Sequence, residues 1–138
     1  MTSARSLLAA ALAMLTLGAC SLDETVAAYG GADRVWVLES LNGTPFAYRA
    51  TLEFSEGGQI RGQAPCNAYF GTQTAPYPWF MLEDVGATRM ACPDIAAEDA
   101  FFAALDVMSQ SEVSGNTLRL ANDDGEEMVF RAEAPAAE

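Results

Sequence analysis

The chain contains no histidine. Ser/His and Cys/His nucleophilic arrangements are thereby excluded, and the commonest general base goes with them. Lysine is missing too: the seven basic residues are all arginine, set against 19 acids for a net charge of −12. A surface of that sign repels phosphate backbones, which argues against nucleic acid as a partner. Cysteines number three, and structural zinc takes four nitrogen or sulfur ligands, so neither a metal nor a cofactor is expected. Long apolar runs are lacking as well. LLAAALAMLTL, from Leu7 to Leu17, is eleven residues, where a membrane-spanning helix needs about 20.

What that short run does fit is the core of an export signal, preceded by Arg5 in MTSARS. It closes in LGAC, Leu17 to Cys20, with small residues at 18 and 19. This is similar to a bacterial lipobox, in which the signal is removed and the cysteine becomes the lipidated first residue. The alternative is an ordinary export signal with a cysteine nearby. Residues 1–19 are accordingly read as a lipoprotein signal peptide and Cys20 as the lipid anchor to the membrane, with Ser21 resembling signals that permit outer-membrane sorting. The expected location is the bacterial cell envelope, at the outer membrane facing the periplasm. Loss of Arg5 leaves six arginines against 19 acids, a net charge of −13.

Beyond Cys20 the stretch SLDETVAAYGGAD is small and polar and ends near Gly30 and Gly31, so residues 20–33 read as a flexible tether. AEAPAAE, residues 132–138, reads as a flexible tail. Between them, 34–131, the apolar pattern has period two. Trp36 with Leu38, Leu52 with Phe54, Leu118 with Leu120, and Met128 with Phe130 fall on inward faces, while Thr51 and Glu53 point outward. NGTP, EGG, SGN and NDDG punctuate the runs as turns. One segment has helical spacing instead: Ala97, Phe101, Leu105 and Met108 predict an amphipathic helix over about 94–109, with carboxylates early where the dipole favours them. The fold class is therefore α+β, mainly β, with an antiparallel sheet and one helix.

Removing Cys20 from the thiol count leaves Cys66 and Cys92. In an oxidising compartment an even pair is most simply one disulfide. Two free buried thiols, or pairing with another chain, remain alternatives. Arg89 could stabilise a thiolate but cannot accept a proton, so neither cysteine is expected to act as a nucleophile.

Taken together, WVLESLNGTP from Trp36, LEF at 52–54, CNAYFG at 66–71, ATRMAC at 87–92, the helical Glu98, Phe101 and Leu105, and the closing LRL resemble the META domain, or HslJ-like, family. The resemblance implies a partly closed small barrel or sheet carrying one helix, often displayed as an envelope lipoprotein. It further implies association with heat shock, stress responses and drug tolerance. It implies no catalytic set.

Asn67 either shapes the turn toward Gly71 or presents an amide to a ligand. Tyr69, Phe70, Tyr77, Trp79 and Phe80 are divided between core and surface. TAPYPW reads as an exposed loop or edge, making Tyr77 and Trp79, with Arg89, the first candidates for partner contact. NDDGEE, 122–127, suits a hairpin turn better than a calcium loop. Glu83 with Asp84, and Glu98 with Asp99, read as surface charge. The expected function is a non-enzymatic envelope lipoprotein serving interaction or stress tolerance, its partner an envelope protein or small ligand. Two alternatives stand beside it. One is an inhibitor or binder of a basic protein such as lysozyme. The other is a lipocalin-like carrier whose apolar cavity would be lined by Phe54, Met81, Leu118 and Phe130.

Overall fold

The computed structural model describes residues 22–134. The signal segment and Cys20 lie outside the described residues, as do 135–138.

Nine strands and one helix follow in order: β1 (Trp36–Leu41), β2 (Thr44–Pro45), β3 (Thr51–Phe54), β4 (Gln59–Gln63), β5 (Ala68–Thr72), β6 (Glu83–Ala87), α1 (Ile95–Asp106), β7 (Gln110–Ser114), β8 (Thr117–Ala121) and β9 (Glu127–Ala132). The sheet runs β6-β5-β4-β3-β1-β9-β8-β7, with the short β2 paired to β1, and every pairing is antiparallel. Turn chemistry sets the hairpins. Asn42 and Gly43, both with positive φ, join β1 to β2, and Gly115 turns β7 into β8.

The alternation of residue types becomes an inside and an outside. Trp36, Leu38, Leu52, Phe54, Leu118, Leu120, Met128 and Phe130 are all buried in one core. Between them Arg119 and Arg131 project outward and pair with Glu127 and Glu39, each at 2.7 Å. Thr51 departs from the expected pattern: it is buried like Leu52. Its hydroxyl accepts from the Gln63 N–H at 2.9 Å and its carbonyl from the Tyr69 hydroxyl at 2.6 Å. This crossing is possible because Gly62 lacks a side chain; a Cβ there would run into the Thr51 carbonyl and the Tyr69 ring.

The sheet curls into a half-barrel, and the connector after β5 bridges its gap. From the end of β5, next to the β6 edge, the chain reaches β7 at the opposite edge. Phe80 N–H donates to Ser109 O at 2.9 Å, Ser111 N–H to Pro78 O at 2.7 Å, and Trp79 faces Gln110 in an antiparallel bridge. The barrel is thus partly closed. Its remaining open edge, β6, carries Glu83 and Asp84 and a register shift opposite Phe70 to Thr72, features that discourage further strand pairing. Helix α1 sends Phe101 and Leu105 into the core and is shorter at its C-terminal end than the pattern suggested.

Two boundaries need correction. Residues 24–33 are not a free tether. Val26 is fully buried and Ala27 nearly so in a 3-10 turn, Val26–Tyr29, capped by the Thr25 side chain. Gly30 and Gly31, read as flexibility, serve geometry. Gly30 ends the turn at φ 97°, and a Cβ on Gly31 would strike the Val26 carbonyl. At the other end Ala132 belongs to β9, and Glu133 donates its N–H to Val35 O at 2.8 Å.

Candidate functional site

The four-residue turn between β4 and β5, Ala64–Asn67, carries the cysteine and asparagine singled out above. Cys66 is disulfide-bonded to Cys92, with Cα atoms 6.1 Å apart, so one covalent link joins this turn to the segment entering α1. Asn67 is 3% exposed. Its amide oxygen accepts from the Thr88 hydroxyl at 3.0 Å and from Met90 N–H at 2.6 Å. Its amide nitrogen donates to Glu98 Oε2 at 2.7 Å and to Met90 O at 3.4 Å. Asn67 therefore faces protein on every side, and its expectation as a partner contact is corrected.

Glu98 is the residue that sequence reasoning misplaced. Read as surface charge, it is 4% exposed. Its Oε1 accepts from the backbone N–H groups of Cys66 and Asn67 at 3.0 and 2.7 Å. A carboxylate taken from water needs such donors, and bonds to a charged acceptor are roughly twice as strong as neutral ones. The signal was present in the spacing: 98, 101 and 105 form one helical stripe, and the other two members are core residues. Asp99, on the neighbouring face, is exposed as expected.

Three links, the disulfide, Asn67 and Glu98, thus fasten one turn to β6's exit and to α1. Tyr69 packs edge-on against Phe101 and Phe102, with ring centres 5.7 and 5.3 Å away. Burial, with the Glu53 carboxylate adding to it, pushes the Tyr69 phenol far above its ordinary pKa. This ring is a neutral hydrogen-bond donor, not a proton shuttle.

A second polar residue that gave no warning is Gln73, 1% exposed. Its amide oxygen accepts from Ala75 and Met81 N–H at 3.0 and 3.1 Å, and its nitrogen donates to Ala75 O at 3.1 Å. It shapes the connector that displays Tyr77 and Trp79. Tyr77 is half-buried: its ring stacks on Tyr29 at 4.5 Å and its hydroxyl accepts from Val113 N–H at 3.3 Å. Trp79 is 55% exposed, Phe70 is also outside, and Phe80 is buried. Arg89 is exposed and belongs to none of the ion pairs among the described residues. It lines a groove of about 620 Å³ between β6 and α1, with Val85, Phe102 and Asp106. The structure does not bring Arg89 together with Tyr77 and Trp79 in one pocket among the described residues.

The NDDGEE loop is a hairpin turn organised by Asn122, whose side-chain oxygen accepts from Asp124 and Glu126 N–H at 3.1 and 3.0 Å. Among the described residues no three His, Cys, Asp or Glu side chains gather as a metal site.

Half-barrel, single helix and disulfide-stapled turn define a class of small β-rich domain. The sequence matches the META domain over residues 31–135, and the chain belongs to the META domain family. The match extends beyond the 34–131 read from the pattern, in agreement with the packed ends. Among solved structures, a protein from Burkholderia xenovorans, determined by NMR, superposes with a TM-score of 0.64 at 26% identity, covering 80% of this chain and 88% of that one. A DUF4847 family protein from Bacteroides vulgatus ATCC 8482 has the same TM-score at 15% identity, covering 77% and 96%. The latter likeness is one of fold alone. No curated protein matches.

Proposed function

We propose that the protein is a lipid-anchored, non-enzymatic module that displays a META domain within the bacterial envelope, for interaction or stress tolerance. The observation that carries the passive reading is the spending of reactive groups at the CNAYFG turn. The Cys66 sulfur there is bonded to that of Cys92, and the adjacent carboxylate, Glu98, is turned inward onto three protein N–H donors. A nucleophile needs a free thiolate and a base within reach, and this arrangement offers neither. The anchored reading is supported by the lipobox-like LGAC at 17–20. Lipoprotein processing supplies more than one acyl chain, and two or more hold a protein stably where one alone does not.

The carrier alternative loses support from the interior. Phe54, Leu118 and Phe130 pack into the filled core, and Met81, cast as a fourth lining residue, lies outside at 57% exposure. A basic protein as partner is favoured by the uncompensated acids, and binding of that kind weakens as salt screens it.

Radiolabelled fatty acid fed to expressing cells tests the anchor. Label should enter the wild-type protein and be lost, with release from membranes, in Cys20→Ser. Equal membrane retention of both forms without label would contradict the proposal.

A further inference from the structure

Among the described residues the chain is already held at Asp23, whose Oδ1 accepts from the Thr25 N–H at 2.8 Å and hydroxyl at 2.6 Å. Glu24 O takes the Tyr77 N–H at 2.7 Å. Only Ser21 and Leu22 lie between Cys20 and Asp23, three steps of chain with a reach of about 10 Å even when fully extended. A tether running to residue 33 would have reached roughly 45 Å and left the domain free to stand off and rotate. The shorter connection cannot: an acylated Cys20 sits at the bilayer surface, and the interfacial layer on each side is itself about 5–7 Å deep.

From this, and resting on the proposed acylation of Cys20, we infer that Leu22, Tyr29, Tyr77 and Trp79 form a membrane-facing rim that settles into the headgroup region of the bilayer holding the anchor. Tyr77 adjoins the entering chain through its N–H bond to Glu24 O, and the other three are reached from it. Leu22 is 80% exposed and Tyr29 53%. Tyr29 stacks on Tyr77. Pro76 lines the same surface groove as Leu22, and its carbonyl accepts from the Trp79 N–H at 2.8 Å, which places the Trp79 backbone one turn from that groove. Indole and phenol rings favour this interface because one end is apolar and the other wet. Gln73 and the Ser111–Pro78 hydrogen bond hold the aromatic connector in place, so the rings are presented without an ordering cost on contact. Asp23, Glu24 and Glu56 line the groove beside Leu22. Their charge repels anionic lipid and keeps contact shallow, so the matching surface is zwitterionic.

The chain carries its own reporter, since it has two tryptophans and Trp36 is fully buried. Acylated protein is reconstituted into phosphatidylethanolamine/phosphatidylcholine vesicles containing lipids brominated at shallow or deep acyl positions, alongside Trp79→Phe. Flotation confirms binding and intact mass confirms acylation. The inference predicts a blue shift of the Trp79 emission, taken as wild type minus Trp79→Phe, and loss of most of it to the shallow quencher, with less to the deep one. Acylated protein that floats with the vesicles while its Trp79 emission stays unshifted and unquenched overturns the rim and leaves the anchor standing. An unmodified residue 20 in protein purified from membranes overturns both.

Discussion

Glu98 holds more of this structure than its position on a surface helix suggests. Its two oxygens take three N–H bonds from residues 66 and 67, and removing it strands two backbone donors in the interior. Glu98→Gln keeps the size but turns an amide NH2 toward donors that need an acceptor. It should cost about 2–3 kcal/mol in urea unfolding. Asn67→Ala should cost a similar amount, and the double variant should cost less than the two together, because both single changes break the same network. Full additivity would show that the two side chains act independently. Tyr69 gives a pH-dependent counterpart. Burial, then Glu53, raises its pKa above the ordinary 10.0, so the folded state keeps a proton that the unfolded chain releases near that value. Its contribution is complete below pH 10 and drains away as pH rises above it. Tyr69→Phe should lose about 1 kcal/mol near neutrality with the bond to Thr51 O, and that deficit should shrink in denaturation curves taken at higher alkaline pH. A deficit constant with pH would contradict the assignment. At this scale the sequence was readable wherever residue type and environment agree. Trp36, Leu118 and Phe130 are apolar and buried. It was misread where they conflict: Glu98 and Gln73 are polar and buried because of partners 20 or more residues away or in an irregular loop, and no local pattern encodes those.

Among the elements, the period-two runs and the helix were legible because alternation and 3.6-residue spacing are imposed by one apolar face. The closure of the sheet was not. Pairing of the connector with β7 depends on backbone bonds at Pro78, Phe80, Ser109 and Ser111, and such bonds leave no mark on side-chain type. The segment at 24–33 was misjudged for a related reason: Gly30 and Gly31 resemble a linker by composition, but there they permit a left-handed cap and a close backbone approach. The disulfide links elements directly, joining the β4–β5 turn to the lead-in of α1 across 26 residues. By loop entropy it should contribute roughly 3.5 kcal/mol, a large share of the about 5–15 kcal/mol typical of a domain. Cys66→Ser with Cys92→Ser should therefore lower the urea midpoint substantially without altering the far-ultraviolet spectrum of the folded protein. An unchanged midpoint would show that Asn67 and Glu98 alone suffice to hold the turn.

Over the whole molecule, the acidic balance and the single packed core are what the proposed surface role rests on. The family and fold were accessible from scattered motifs because they fall in a fixed order along most of the chain. The orientation inferred at a membrane was not, since that inference depends on how soon packing begins after residue 20. The account as a whole rests on the sulfurs being committed, one to lipid and two to each other. Intact-mass spectrometry of protein purified from native membranes, treated with iodoacetamide before and after reduction, reads all three at once. The predicted result is a chain beginning at an acylated Cys20 that takes up no alkyl group until reduced, and then two. Alkylation of Cys66 or Cys92 in unreduced protein would contradict it.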